Sequence, residues 1–111
     1  MTNHLDRFFA AMSDPTRRAV VERLVARGPQ PVSRLHEGHD MALPTFLRHL
    51  KVLEASGLVR SEKSGRVRTV HVEAAPLAEA EDWLKRQRRL WEGRLDRLDA
   101  LVRDMEKGPR Q

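Results

Sequence analysis

Apolar residues recur along this chain at two spacings, and the change from one to the other outlines the architecture. Leu5, Phe8, Phe9 and Met12 fall at i, i+3, i+4 and i+7, the stripe of a short amphipathic helix. Ser13-Asp14-Pro15 closes that helix and opens a second. Asp14 is placed as N-cap and Pro15 takes the first helical position, where a missing N–H does no harm. Val20, Val21, Leu24 and Val25 give the second helix its apolar face, and Gly28-Pro29 stops it. Val32 and Leu35, three apart, predict one or two helical turns before Gly38, with Pro31 standing where a Ser or Thr cap is more usual. A turn at His39-Asp40-Met41 leads to Pro44 and a fourth helix, which buries Leu43, Phe46 or Leu47, Leu50 and Leu53 and ends at Gly57.

From Leu58 the pattern becomes strand-like. Leu58–Lys63 and Arg66–Val72 read as two short strands joined by a Ser64-Gly65 turn, where glycine supplies the positive φ of a tight hairpin. Pro76 then opens a long helix to about Lys107, roughly 30 residues or 45 Å. Its first turns hold Glu79, Glu81 and Asp82 and its last turns Arg103 and Lys107, the order favoured by the helix dipole. Leu77, Ala80, Leu84, Trp91, Leu98, Leu101 and Met105 recur along it mainly by three, four or seven, interrupted by Gln87 and Arg94 and widened by Trp83, Leu90 and Leu95. A helix of that length cannot bury such a stripe against one small body, so a second copy of the chain is its natural cover. Leu5, Phe8, Phe9 and Met12 would complete that interface with Leu84, Trp91, Leu98 and Leu101.

Helix, helix, helix, helix, hairpin, long helix is the order of a dimeric, mainly α winged helix-turn-helix: four helices, a two-stranded β-hairpin wing and a long C-terminal helix. The expected organisation is a single domain over residues 1–111. In it, a DNA-binding core at 13–75 is flanked by dimerisation helices at 1–12 and 76–107.

Charge sharpens this picture. Residues 43–72 carry six Lys/Arg (Arg48, Lys51, Arg60, Lys63, Arg66, Arg68) against two acids, Glu54 and Glu62. Residues 1–42 hold six against five and residues 73–111 nine against nine, so most of the net +5 sits in one helix and its hairpin. A basic excess concentrated on such a segment is the footprint of a surface that meets a polyanion, here double-stranded DNA. With Phe46, Leu50 and Leu53 facing inward, Thr45, Arg48, His49 and Lys51 are the outward positions of the fourth helix. Arg48 suits a bidentate guanine contact and Thr45 a thymine methyl or a phosphate; His49 and Lys51 suit phosphate or mixed contacts. Lys63, Arg66 and Arg68 crowd the hairpin, where a cationic ribbon tip can track a backbone or enter a narrow minor groove, and Ser33 is placed to touch a phosphate.

Other chemistries find little support. With 40% hydrophobic and only 5% aromatic residues, the core is small, rich in Leu and Val, and of the kind that leans on oligomerisation. The absence of Cys excludes disulfides and thiolate metal sites and fits a reducing compartment. No apolar run reaches membrane-spanning length and no signal-peptide core is evident, so a cytoplasmic location is expected. His36, His39 and Asp40 are clustered but form a weak ligand set, which His4 approaching from a partner chain would extend. No nucleophile–base pair, phosphate loop or apolar carboxylate pair is present, so neither an enzyme nor a cofactor is expected.

The segments DPTRRAVVERLVARGP, MALPTFLRHLKVLEASGLV, KSGRVRTVHV and AEDWLKRQRRLWEGRLDRLDALV resemble the arsenical-repressor-like (ArsR) family of dimeric winged-helix transcriptional regulators. The resemblance covers about residues 5–103, and HLKVLEASGLV is its most specific part. It implies a repressor of its own or a neighbouring operon, with DNA contacts on the recognition helix and wing. The tail, with Trp83, Trp91 and Glu92, looks like the branch without the sensors' metal sites; the helix-turn-helix has no Cys and the C-terminal helix no His. Leu47 stands where many members carry Ser. Two alternatives to a plain regulator follow: a metal- or ligand-responsive sensor using His36, His39 and Asp40, and a winged-helix module that binds protein.

Overall fold

The computed structural model describes residues 3–108. The elements run α1 (His4–Ala11), α2 (Pro15–Arg27), β1 (Gln30–Pro31), α3 (Val32–Glu37), α4 (Leu43–Ala55), β2 (Val59–Ser64), β3 (Val67–Val72) and α5 (Ala74–Glu106). The chain divides into two units, one ending at Ala80 and the other beginning at Glu81.

Local chemistry sets the helix ends. Asn3 caps α1 by accepting from the Asp6 amide at 2.9 Å, and the Asp6 carboxylate accepts from the Asn3 amide at 3.3 Å, a reciprocal capping box. Asp14 caps α2 through the Arg17 amide at 3.0 Å, with Pro15 in the first turn as expected. At the end of α4, Gly57 at φ +79° lets the chain reverse: its amide donates to Glu54 O at 3.0 Å and that of Leu58 to Leu53 O at 3.1 Å. This is a Schellman motif, and its apolar pair, Leu53 and Leu58, is fully buried.

The sheet differs from a two-stranded wing. Its order is β1-β3-β2, all antiparallel, with Gln30 opposite Val70 and Pro31 opposite Thr69. The hairpin turn is also one residue later than the sequence suggests. Ser64 pairs with Val67, leaving Gly65-Arg66 as the turn. Gly65 has φ +62° and no non-glycine residue among the described ones has positive φ, the pattern of a type II′ turn.

One core holds the first unit together. Val20, Val21 and Leu24 of α2, Leu35 of α3, Phe46, Leu50 and Leu53 of α4, and Leu58, Val59 and Val70 around the sheet are all buried. Removing each large side chain from water contributes roughly 1.5–3 kcal/mol. Two expectations are corrected here. Leu43, the first residue of α4, stays 45% exposed, because the core closes a turn later at Phe46. Phe8 is buried, and Leu5 and Met12 pack against the same core, so most of the stripe assigned to an intermolecular face covers the chain's own interior. Phe9 is the exposed member, its ring edge-on to Phe8 at 5.3 Å.

The second unit is the remainder of α5, whose 33 residues span about 50 Å in all. Ion pairs one turn apart run along it: Glu81 with Lys85 at 2.7 Å, Asp99 with Arg103 at 3.1 Å, Arg88 with Glu92 at 3.6 Å. The hydrogen bond and charge of Lys85 hold the Glu81 carboxyl below its ordinary pKa. Leu84, Leu90, Trp91, Leu98, Leu101 and Met105 are exposed. No helix among the described residues is long and apolar enough to cross a membrane.

Candidate nucleic-acid interface

α4 presents four sides, and its surroundings give each a different task. Phe46, Leu50 and Leu53 anchor it in the core. Thr45, Arg48 and Lys51 lie on the open side, all exposed. Among the described residues, neither Arg48 nor Lys51 is held by an ion pair within the chain. A helix fixed by its apolar side and offering cations on the other is the arrangement that enters a major groove.

A third side faces α1 and α2. Here the sequence expectation for His49 is corrected: it turns back into the protein. Its Nδ1 accepts from Arg17 Nη1 at 3.3 Å and lies 3.6 Å from Asp14 Oδ2. Arg17 was not anticipated as part of this region, yet it also donates from Nε to Ala11 O at 2.7 Å and from Nη2 to Ala10 O at 3.1 Å. One guanidinium thus closes the C-terminus of α1 and touches α4. The Arg17 amide holds the Asp14 carboxyl below its ordinary pKa, and the Arg17 charge acts in the same direction. Further along α4, Val52 and Ala55, four and seven residues after Arg48, line a shallow groove with Arg7, Ala10 and Ala11.

The fourth side faces the wing across a cleft of about 760 Å³, floored by Val32, Leu47 and Val59 and rimmed by Arg60, Lys63 and Arg68. The two-residue period of the strands puts Val59, Ser61 and Lys63 on one face of the hairpin with Arg68, Val70 and Val72. That face looks toward α4. Arg68, expected as a DNA contact, is engaged there: its Nη2 donates to Glu54 Oε1, which also accepts from Ser61 Oγ. On the other face Arg60 pairs with Glu62 and Glu73, and His71 Nε2 lies 3.6 Å from Glu62. The Glu62 and Glu73 hydrogen bonds raise the pKa of the Arg60 guanidinium. Among the described residues Lys63 and Arg66 make no ion pair. Ser33, exposed in the first turn of α3, shares a small hollow with Arg66, Val67 and Arg68, beside the wing.

Glu54 and Ser61 escaped the sequence reading. The available signal was spacing: Glu54 lies seven residues after Leu47, on the same flank of the helix, and is one of two acids in a basic segment.

The histidine cluster packs within the chain. His36 Nε2 bonds to Met41 O at 2.7 Å, and the rings of His36 and His39 both pack on Phe46 at 5.3 Å. Burial, then the charges of Arg23, His36 and His49, lowers the pKa of His39. No group of three or more His, Cys, Asp or Glu among the described residues is placed to hold a metal ion.

Comparisons with known proteins fit this geometry. A helix-turn-helix domain family matches residues 12–62. The HTH-type transcriptional regulator Rv2034 of Mycobacterium tuberculosis is 40% identical over 73 residues, 66% of this chain and 67% of the relative. A crystal structure of an ArsR family transcriptional regulator is 50% identical with a TM-score of 0.77, covering 81% of this chain and 98% of that one. An ArsR-like transcriptional regulator from Rhodococcus sp. RHA1 is 32% identical with a TM-score of 0.75, covering 88% and 92%.

Proposed function

Since this chain belongs to the ArsR family of winged-helix, DNA-binding transcriptional regulators, we propose that it represses its own or a neighbouring operon by occupying a pseudo-palindromic operator as a homodimer. The open side of α4 carries the reading: Thr45, Arg48 and Lys51 stand exposed on a helix whose other three sides are fixed by core, α1–α2 and wing. Arg48 reads a guanine through O6 and N7, Thr45 meets a methyl or a phosphate, and Lys51 grips the backbone. Lys63 and Arg66 at the wing, with Ser33 beside them, hold the flanking phosphates or minor groove. His49 and Arg68 act through the protein and not on the bases.

The homodimer reading is supported by the exposed apolar side chains of α5, in a segment (residues 73–111) whose cations and acids cancel, nine against nine. Two-fold symmetry would set the recognition helices about 34 Å apart, one turn of duplex.

Selecting bound sequences from a random DNA pool with purified protein yields the operator on which the assignments are tested. Arg48→Ala is expected to weaken operator binding by about 1–3 kcal/mol while barely changing affinity for random duplex. Lys63→Ala should weaken both alike. Equal losses on the two DNAs for Arg48→Ala would refute its role as a reader.

A further inference from the structure

A carboxylate in the middle of a surface meant for DNA is out of place by charge alone. Glu54 projects from α4 into the cleft beside the wing, and its side chain is 29% exposed. There Oε1 accepts from Ser61 Oγ on β2 and from Arg68 Nη2 on β3. Ser61 and Arg68 sit on different strands of the hairpin but on the same face of it. One oxygen therefore ties both strands of the wing to the helix, across sequence separations of 7 and 14 residues. Partial burial in a cleft with an apolar floor strengthens such a tie relative to one in open water. It also sets the wing cations apart. Arg68 is taken up inside the chain, whereas its cross-strand neighbour Lys63 and the turn residue Arg66 are not.

We propose that Glu54 is a positioning and specificity-determining residue of the DNA-binding face: it fixes the wing against α4 and keeps Arg68 away from phosphates. Two consequences follow. The wing approaches DNA in one orientation relative to the recognition helix, so that both can engage only when the major-groove register is correct. Arg68, held by Glu54, is also withheld from any backbone that enters the cleft, so misaligned, non-specific complexes lack a phosphate contact they would otherwise gain. The inference rests on the DNA-binding reading above, and the test separates the two.

Salt titrations of binding to random duplex and to operator are measured for the native chain, Glu54→Gln, Arg68→Gln, the double variant, and Lys51→Gln. Each phosphate neutralised adds about 0.9 to the slope of log K against log salt. Arg68→Gln alone should leave the random-duplex slope unchanged, because Arg68 is already engaged. Glu54→Gln, nearly isosteric, should release Arg68, steepen the random-duplex slope by about 0.9 per protomer, and reduce the ratio of operator to random affinity. Between 50 and 200 mM salt, that extra slope is about a 3.5-fold greater loss of affinity per protomer. Adding Arg68→Gln to Glu54→Gln should restore the native slope.

A fall of about 0.9 per protomer for Arg68→Gln in the native background overturns the proposal, since Arg68 would then be a phosphate contact. So does a Glu54→Gln effect that persists in the double variant, which would come from lost repulsion alone. Lys51→Gln reports on the parent reading. If it too leaves binding and slope unchanged, DNA contact by α4 is wrong; if it flattens the slope while the Glu54 arms fail, only the proposal falls.

Discussion

Residues 43–72 and the second half of α5 solve opposite problems. In the first region the apolar side chains are placed, with Phe46, Leu50, Leu53, Leu58 and Val70 fully buried, while Arg48, Lys51, Lys63 and Arg66 stand outside without an internal ion pair. In the second, cations and acids balance in number, three pairs meet at i,i+4, and the apolar side chains stay exposed, Trp91 at 58% and Leu101 at 55%. Net charge follows the same division, with an excess of four cations in the first region and none over residues 73–111. The region with unanswered charge suits a polyanion, and the region with unanswered hydrophobicity suits another apolar helix. Partner chemistry is written in what each surface leaves unsatisfied.

The comparison can be broken at either end. The largest effect is expected in α5. Leu98→Glu puts a charge into the apolar stripe and should abolish the homodimer in sedimentation velocity while leaving helical circular dichroism intact. Operator affinity should then fall by about 100-fold or more, because the second half-site no longer binds as part of the same molecule. A variant that stays dimeric would remove α5 from the interface. In the recognition region the same kind of residue has a different task. Leu50→Ala should lower folding stability by about 2–5 kcal/mol in urea denaturation, through a cavity under α4, without changing assembly in the fraction that folds.

Acidity separates the regions more gently. Burial holds His39 below its ordinary imidazole pKa, so the unfolded chain takes up a proton more readily than the folded one. The contribution is therefore complete above the unfolded value of about 6.5 and declines as pH falls from there through the lower folded value. Urea midpoints between pH 8 and 5 should drop less steeply in His39→Gln than in the native chain. An identical decline would assign the effect to other groups. The smallest effect is expected for Lys85→Gln, which removes an exposed i,i+4 pair and should leave both melting temperature and DNA affinity unchanged within error. A clear loss of operator affinity there would show that the α5 charges are not spent on one another.

Much of this fold was legible because helix periodicity and helix ends are local. Asp14-Pro15 and Gly57 act through their own backbone geometry, and Val20, Leu24, Phe46, Leu50 and Leu53 are read from spacing alone. β1 was not legible, since two residues carry no period and pair only because α3 carries Gln30 and Pro31 alongside β3. The N-terminal stripe was legible as apolar but not as to what it covers: Leu5, Phe8 and Met12 look the same whether they meet their own core or a partner. At the DNA face, charge identified the segment and the exposed positions of Thr45, Arg48 and Lys51. It did not reveal which polar groups are used internally, because Arg17 with His49 and Glu54 with Arg68 meet only after the chain has folded across 32 and 14 residues.

Pro31, half of the shortest strand, bears on how this protein behaves when crowded. A sheet grows by recruiting foreign strands along a row of free backbone amides, the route by which many β-proteins polymerise. On the β1 side the outermost strand is two residues long and Pro31 has no N–H to offer, so β1 itself gives an incoming strand almost nothing to dock on. Where β1 covers the middle of β3, a crowded neighbour therefore meets no template from which a fibril could begin.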